Sequence, residues 1–181
     1  MISSLRALFL ALSAAPLLAW AAPPEAPSQT ATEHVQARLV SSQASVAPGQ
    51  RFTVALEQSI KPHWHTYWLN PGDAGKPMDV EWQLPAGFTA GPLRYPVPTR
   101  LEIANLMNYV YERDYALLVR LKVPANASGL VPIRATANWL ACTDRVCVPE
   151  QGELALDLPV GRGTPQRGQF DQWRHALPQP L

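Results

Sequence analysis

The chain has 181 residues, with 15 basic and 14 acidic side chains, so its formal net charge is +1. This balance excludes two classes of protein, because no basic stripe indicates nucleic-acid binding and no acidic run indicates a solvating tail. The length predicts one domain, and 19 prolines among many short alternating runs favour an all-β sandwich over a helical fold.

The beginning of the chain, 1–21, has the pattern of a secretory signal peptide. Arg6 supplies the basic end, 7–18 the apolar run, and 19–21 a small-x-small cleavage site. A membrane anchor is the less favoured alternative, because a spanning helix needs about 20 apolar residues. Export would place the chain in an oxidising compartment, where a disulfide persists.

A proline-rich segment, 22–33, is expected to be a flexible leader, and alternating apolar residues then predict a series of strands. Each predicted strand alternates apolar with polar side chains and ends near a turn signal. The predicted strands are 34–41, 52–56, 61–73, 78–84, 115–123, 133–141 and 154–158. With a short strand near Val110 they number about seven or eight, enough for two packed sheets.

Two segments depart from this pattern. Segment 91–113 is interrupted by three prolines and holds several large apolar side chains, so we predict a long surface loop, of the kind that is functional or disordered. In the tail, 161–181, Phe170, Trp173 and Leu177 follow helical spacing. The tail is therefore predicted to be a linker that leads into the start of a helix.

The cysteines, Cys142 and Cys147, are the only two in the chain and have four residues between them. Residues 143–146 suit a hairpin loop, which would place the cysteines opposite each other on antiparallel strands. Directly opposed residues have Cα atoms roughly 4.5 or 5.5 Å apart. A disulfide accepts about 4.4–6.8 Å, so the spacing permits a bond.

This spacing leaves two roles open for the bond, structural or redox-active. Closing so short a loop contributes only on the order of 2 kcal/mol, against about 4.7 for a loop of 100 residues. The motif is not the C-x-x-C of thioredoxin-like proteins, and no βαβ pattern surrounds it. A zinc site would need about four ligands, and the chain has no second cysteine pair.

An ordered series of short motifs covers most of 35–160. The motifs are His65-Thr66-Tyr67-Trp68, Asn70-Pro71-Gly72-Asp73, Trp82-x-Leu84-Pro85-x-Gly87-Phe88, Tyr95-Pro96-x-Pro98, Met107-Asn108-Tyr109 and Trp139-Leu140-x-Cys142-x4-Cys147-x-Pro149-Glu150. In this series the chain resembles the N-terminal periplasmic domain of the DsbD family of thiol:disulfide interchange proteins. Within that family it is most similar to the branch that includes the copper-sensitivity suppressor ScsB.

The resemblance implies an immunoglobulin-like sandwich over 34–160 in the periplasm, with no cofactor and a cysteine pair that carries electrons as the redox domain of a protein-disulfide reductase. The pair would form mixed disulfides with thioredoxin-like or disulfide-isomerase-like exported proteins, to which it passes reducing equivalents. Full-length members receive these equivalents through a membrane electron-relay domain. Because that domain and a C-terminal thioredoxin-like domain are absent here, the chain is either a fragment or a free-standing module with an outside electron source. DsbD itself has five residues between its cysteines, and four are expected for the ScsB branch.

We assign different roles to the two cysteines. Cys142 follows an apolar strand and is expected to be the more buried, whereas Cys147 follows the turn, two residues after Arg145. Because a nearby cation and exposure favour thiolate attack, Cys147 is predicted to form the mixed disulfide and Cys142 to resolve it. Asp144 opposes thiolate formation.

By resemblance, 101–109 would be a cap that shields the cysteine pair until a partner displaces it. The residues expected in or near this cap are Glu102, Leu106, Met107, Asn108 and Tyr109. The alternative is that Leu106, Met107 and Tyr109 simply fill the core.

Two rival functions remain. His63 and His65, two residues apart on a predicted strand, would share a face, and with Met78, Met107 and the thiols they suggest a copper site. We favour packing and hydrogen bonding of these histidines, and therefore predict no metal site. The other rival is an adhesion or chaperone module with an inert bond.

Overall fold

The computed structural model describes residues 29–166 and 168–179. The predicted signal peptide, 1–21, and most of the predicted leader, 22–33, lie outside these residues. Strand β1 (Gln29–Ala31) lies inside the predicted leader and pairs with the next strand, with Thr30 opposite Ala37. Residues of the predicted leader therefore belong to a sheet, because Gln29–Ala31 satisfy backbone groups by pairing with the next strand.

The larger sheet is antiparallel and has five strands in the order β1-β2-β4-β10-β7. Its other strands are β2 (Val35–Ser41), β4 (Arg51–Ile60), β7 (Thr89–Ala90) and β10 (Tyr115–Lys122). The second sheet has the order β12-β11-β6, with β6 (Asp79–Gln83), β11 (Leu130–Cys142) and β12 (Cys147–Pro159).

Two smaller sheets complete the strands of the described residues. One pairs β3 (Gln43–Ser45) with β13 (Thr164–Pro165), and the other has the order β5-β9-β8, with β5 (Thr66–Gly72), β8 (Thr99–Ile103) and β9 (Leu106–Tyr111). The second of these sheets lies at the end of the molecule where β11 meets β12, because His65, just before β5, bridges to Cys142.

The core lies between the two larger sheets. Alternate residues of β2, β4 and β10 face alternate residues of β11 and β12, as the period-two pattern of the sequence predicts. Fully buried members of this core are Leu39, Val54, Leu56, Leu117, Val119, Leu121, Ile133, Ala135 and Leu154. The predicted all-β, immunoglobulin-like two-sheet sandwich is confirmed.

The segment predicted as a long surface loop, 91–113, is in fact largely a β-hairpin. Strands β8 and β9 pair in register from Thr99 opposite Val110 to Ile103 opposite Leu106. The turn between them is Ala104-Asn105, with φ of 51° and 64°. Two successive positive φ values are typical of a type I′ turn, whose twist matches that of paired strands. The three prolines lie before β8, so they interrupt only the approach to the hairpin.

The predicted helical tail is present as a short helix, α1 (Phe170–His175). Phe170 and Leu177 are buried against Ala55, Ala116 and Leu118, on the face of the larger sheet that points away from the core. This contact explains why β4 and β10 are buried on both faces. Within 29–166 and 168–179, no helix has the length and apolar character needed to cross a membrane.

Candidate functional site

The two cysteines terminate the longest hairpin among the described residues. Strands β11 and β12 pair without a shift over 13 residues each, from Leu130 opposite Pro159 to Cys142 opposite Cys147. Cys142 and Cys147 form a disulfide, with an S–S distance of 2.01 Å. The predicted hairpin loop is therefore present, and it brings the two sulfurs into bonding contact.

The Cα atoms of the two cysteines are 4.1 Å apart, slightly closer than the expected range. The Thr143 N–H donates to Val146 O at 2.8 Å, which makes Cys142 and Cys147 a non-hydrogen-bonded pair of the ladder. Opposed residues of this type lie closer than hydrogen-bonded ones, at roughly 4.5 Å. The short separation is therefore a property of the ladder register.

The two sulfur-bearing residues differ in exposure. Cys142 is 0% exposed, whereas Cys147 belongs to the exposed residues at the start of β12. Cys142 is buried because it is paired on both sides. It faces Cys147 on β12, and on its other side its backbone exchanges two hydrogen bonds of 2.9 Å with His65. Of the two cysteines, only Cys147 therefore offers exposed surface to a partner.

The start of β5 and the residue before it place two polar side chains beside the disulfide. Tyr67 Oη lies 3.9 Å from Cys147 Sγ, within hydrogen-bond reach for sulfur, and His65 Nε2 lies 3.3 Å from Tyr67 Oη. The two rings meet edge to face, with centroids 5.3 Å apart. Both residues are almost fully buried, at 3% and 5% exposure. A continuous polar chain therefore runs from His65 to the exposed sulfur.

Burial changes the acidity of both groups. Loss of hydration lowers the pKa of His65, against a smaller opposing effect of the Glu112 charge. Burial raises the pKa of the Tyr67 hydroxyl. At neutral pH, therefore, the imidazole is neutral and the phenol keeps its proton.

The β8–β9 hairpin packs against the buried side of the disulfide. Leu101 from β8 and Val110 from β9 join Tyr67 and Cys142 in one apolar cluster, together with Leu140. The hairpin thus lies next to the cysteine pair, where the resemblance places a cap.

The residues predicted for the cap occupy different environments along this hairpin. Glu102 and Leu106 are exposed, and Met107 and Tyr109 are half-buried. Asn108 is buried, and its Nδ2 donates to Leu106 O at 3.1 Å. Tyr109 meets the ring of Trp68, with centroids 5.9 Å apart, so the hairpin is also anchored to β5.

The charged residues of the loop, Asp144 and Arg145, are directed toward each other. Arg145 Nε lies 3.7 Å from Asp144 Oδ2, and both side chains are exposed. Because both charges are hydrated, this ion pair contributes little to stability. Tyr67 makes the closer polar contact with Cys147.

The histidines proposed for copper do not share a strand face. His63 lies in a turn before β5 with a φ of 71° and is exposed, whereas His65 is buried against Tyr67. The prediction that the two imidazoles project from one strand face was wrong because the strand begins only at Thr66. In the part of the chain that the structure describes, no group of three or more His, Cys, Asp or Glu side chains is arranged to hold a metal.

A buried polar cluster lies on the hairpin just past the disulfide. Glu150 Oε1 accepts hydrogen bonds from His34 N at 3.0 Å and His34 Nδ1 at 2.7 Å, and its Oε2 accepts one from Trp139 Nε1 at 3.0 Å. Thr32 Oγ1 donates to the same carboxylate. The His34 ring stacks on Trp64, with centroids 3.5 Å apart. This cluster ties the beginning of the folded chain to the strands that carry the cysteines.

Sequence reasoning did not give Tyr67 a role at the site, and for His65 it weighed a copper ligand against the favoured packing and hydrogen bonding. The available signal was the His65-x-Tyr67 spacing, since residues two apart on an extended segment point to the same side. Which side that is, and that the cysteine hairpin lies there, depends on the pairing of His65 with Cys142, which no local pattern contains.

Known proteins resemble this chain both in sequence profile and in fold. The sequence profile of the family described as "Thiol:disulfide interchange protein DsbD, N-terminal" matches residues 34–159. The fold is similar to that of the N-terminal periplasmic domain of ScsB from Proteus mirabilis, with 20% identity and a TM-score of 0.63. That match covers 90% of this chain but only 60% of the ScsB chain.

A second structure, the reduced N-terminal domain of DsbD from Neisseria meningitidis, matches at 12% identity with a TM-score of 0.42. It covers 72% of this chain and 90% of that one. No curated protein matches the chain in sequence.

Proposed function

Because this chain belongs to the family of DsbD N-terminal domains, we propose that it is a thiol–disulfide exchange module that works through a reversible Cys142–Cys147 disulfide. It passes reducing equivalents to exported thiol proteins in the periplasm. The observation that carries the proposal is the unequal exposure of the two bonded cysteines, since residue Cys147 is exposed and residue Cys142 is fully buried. In a pair of this kind, the exposed cysteine can form the mixed disulfide with a partner, and the buried cysteine can then resolve it.

The exchange takes place in two steps. In the reduced module, the Cys147 thiolate attacks a disulfide of the partner and forms a mixed disulfide, while the partner's other sulfur leaves as a thiolate and takes up a proton. Cys142 then loses its proton and attacks Cys147 Sγ, which restores the intramolecular disulfide and releases the second partner thiolate. Two electrons move to the partner.

The partners proposed are thioredoxin-like or disulfide-isomerase-like proteins of the periplasm. The module is in turn reduced by a membrane electron-relay domain of a longer parent chain or by a separate reductant. Both steps place a sulfur of another protein at Cys147, and neither needs a bound cofactor. The proposed cap, 101–109, moves aside when a partner docks, since its Leu101 packs in the cluster with Cys142.

Trapping of the mixed disulfide tests the roles of the two cysteines. A Cys142→Ser variant keeps the exposed sulfur and lacks the resolving one, so it is expected to accumulate covalent adducts with thioredoxin-like proteins that gel electrophoresis without reductant detects. A Cys147→Ser variant is the matched control and is expected to form few. Adducts in the control alone would reverse the assignment.

Equilibration with glutathione buffers tests the function itself. A structural disulfide in an exported protein has a reduction potential below about −300 mV, and an exchanging one lies above it. We expect the Cys142–Cys147 pair to equilibrate reversibly and to lie above that limit. A pair that stays oxidised throughout the buffer series would leave an inert immunoglobulin-like module instead.

A further inference from the structure

A chain of polar contacts lies beside the disulfide, and thiol exchange between two cysteines does not by itself require it. It consists of His65 Nε2, Tyr67 Oη and Cys147 Sγ, with successive separations of 3.3 and 3.9 Å. Burying a hydroxyl and an imidazole costs free energy unless they are hydrogen-bonded. Tyr67 and His65 satisfy each other, and the chain ends at the one exposed sulfur.

Two backbone features hold the Tyr67 ring against the sulfur. The His65 backbone is fixed by its two hydrogen bonds to Cys142. The side chains of His65 and of Tyr67, two residues further along, therefore have a set position relative to the cysteine hairpin. On its other side the ring packs on Gly75, which has a φ of 90°, and a Cβ atom there would overlap the ring. The hydroxyl therefore has little freedom to leave the sulfur.

The charged groups around this chain are few. Glu112, just beyond β9, acts on His65 from one side. In the cysteine loop, Asp144 and Arg145 are exposed and pair with each other. Among the described residues, the hydrogen-bond contact found at Cys147 Sγ is that of Tyr67 Oη.

We propose that Tyr67 is a catalytic residue that stabilises the Cys147 thiolate by donating its hydroxyl proton to the sulfur in a hydrogen bond, and that His65 is a positioning residue that donates from Nε2 to the Tyr67 oxygen. The inference deepens the proposed exchange function and rests on it. It assigns the acidity of the attacking thiol to the β5 segment, outside the cysteine hairpin.

The chemistry of this step is simple. In the reduced module the Cys147 thiol loses its proton to water and keeps the electron pair on sulfur, while Tyr67 turns its O–H toward the sulfur. No bond between heavy atoms changes and nothing is oxidised. The thiolate then attacks the partner disulfide as described above, while the Tyr67 oxygen continues to accept the hydrogen bond from His65 Nε2.

The test is a pH titration of Cys147 by the ultraviolet absorbance of its thiolate. A Cys142→Ser background leaves Cys147 as the only thiol of the chain, so the signal has one source. Adding Tyr67→Phe removes the hydroxyl and keeps the ring. We expect this variant to hold about tenfold less thiolate at neutral pH, since hydrogen bonds to charged groups are among the strong ones. The rate of reaction with a small aromatic disulfide reagent is expected to fall in parallel.

His65→Gln in the same background keeps a polar side chain but removes the ring donor. It is expected to lower the thiolate fraction by a smaller factor, and the double variant to match Tyr67→Phe alone, because the histidine acts through the tyrosine. Tyr95→Phe is the matched control, since the buried hydroxyl of Tyr95 donates to Met78 O at 3.2 Å and takes no part in the contacts between His65, Tyr67 and Cys147. It is expected to leave the Cys147 titration unchanged.

Coincident titration curves for the background protein and a folded Tyr67→Phe variant would overturn the proposal, and an unchanged curve for His65→Gln would overturn the part assigned to the histidine. Circular dichroism of each variant establishes that it is folded. The titration uses a single thiol and no partner. It therefore reads the acidity of Cys147 even if the glutathione series shows that the wild-type pair does not exchange.

Discussion

At the scale of single residues, the side chains near the disulfide divide into those that hold the hairpin and those that contact the exposed sulfur. Glu150 belongs to the first group, because its buried carboxylate accepts hydrogen bonds from His34, Trp139 and Thr32. Tyr67 belongs to the second, and His65 acts on the sulfur only through Tyr67. The two groups predict different consequences of substitution, one in stability and one in reactivity.

Glu150→Ala is expected to lower the free energy of unfolding by about 3 kcal/mol, because it leaves buried donors of His34 and Trp139 without an acceptor. Urea denaturation followed by circular dichroism measures the change. Glu153→Ala is the control on the same strand, where an exposed carboxylate accepts from Thr136 Oγ1, and it is expected to change stability by no more than about 0.5 kcal/mol. Equal losses would contradict a special role of the buried cluster.

His65 gives a prediction in pH. Burial lowers its pKa in the folded state below the ordinary value of 6.5, so between those two values the unfolded chain binds more protons than the folded one. The contribution of His65 to stability is therefore complete above pH 6.5 and is lost as the pH falls toward the folded pKa.

When the pH is lowered from about 7.5 to about 5.5, the free energy of unfolding of His65→Gln is expected to fall less than that of wild type. Urea midpoints measure the difference. His63→Gln, which replaces an exposed histidine, is the control and is expected to follow wild type. An identical pH dependence in wild type and His65→Gln would rule out a lowered pKa.

At the scale of elements, the β8–β9 hairpin connects the small sheet to the cysteine pair. Both residues of its turn, Ala104 and Asn105, have positive φ values, and the twist of such a turn matches that of the two paired strands. Its base is fixed to β5 by the pairing of Thr66 with Tyr111. The hairpin is therefore a defined piece of sheet that covers Cys142 through its apolar face.

Leu101→Ala is expected to loosen this cover, because it removes apolar contacts from the cluster that includes Cys142. Cys142 of the reduced pair should then react several-fold faster with an alkylating reagent at neutral pH. Leu130→Ala, at the other end of β11, serves as control because that side chain is already 47% exposed. If the alkylation rate of Leu101→Ala equals that of wild type, the hairpin is not a cap.

At the scale of the whole molecule, the disulfide closes a short loop in a domain that is already held by its two packed sheets. The hairpin of β11 and β12 is paired along its full length, and its inward side chains lie in the main core. The bond therefore has little entropy to remove from the unfolded chain, and opening it leaves the core contacts intact.

Reduction of the disulfide is accordingly expected to lower the free energy of unfolding by only about 2 kcal/mol and to leave the fold in place. Urea denaturation with and without a phosphine reductant measures this, and the Cys142→Ser/Cys147→Ser double variant should match the reduced protein. Loss of the folded state on reduction would indicate a structural bond and would contradict a working redox pair.

The sequence by itself determined the strands with clean alternation, the pairing of Cys142 with Cys147, and the family. Alternation is a local consequence of the pleat, and a short loop between two strands leaves two cysteines only one way to meet. The same local information predicted the helix around Phe170, whose apolar residues recur at helical spacing.

Only the tertiary structure decided which residues surround the sulfur. The β8–β9 hairpin was not predicted because Ala104-Asn105 lacks the glycine that normally marks such a turn, and prolines nearby suggested a loop. Tyr67 reaches Cys147 because His65, just before β5, pairs with Cys142 at the end of β11, a contact between segments more than 70 residues apart. Such contacts are set by the packing of the sheets and leave no periodic trace in the chain.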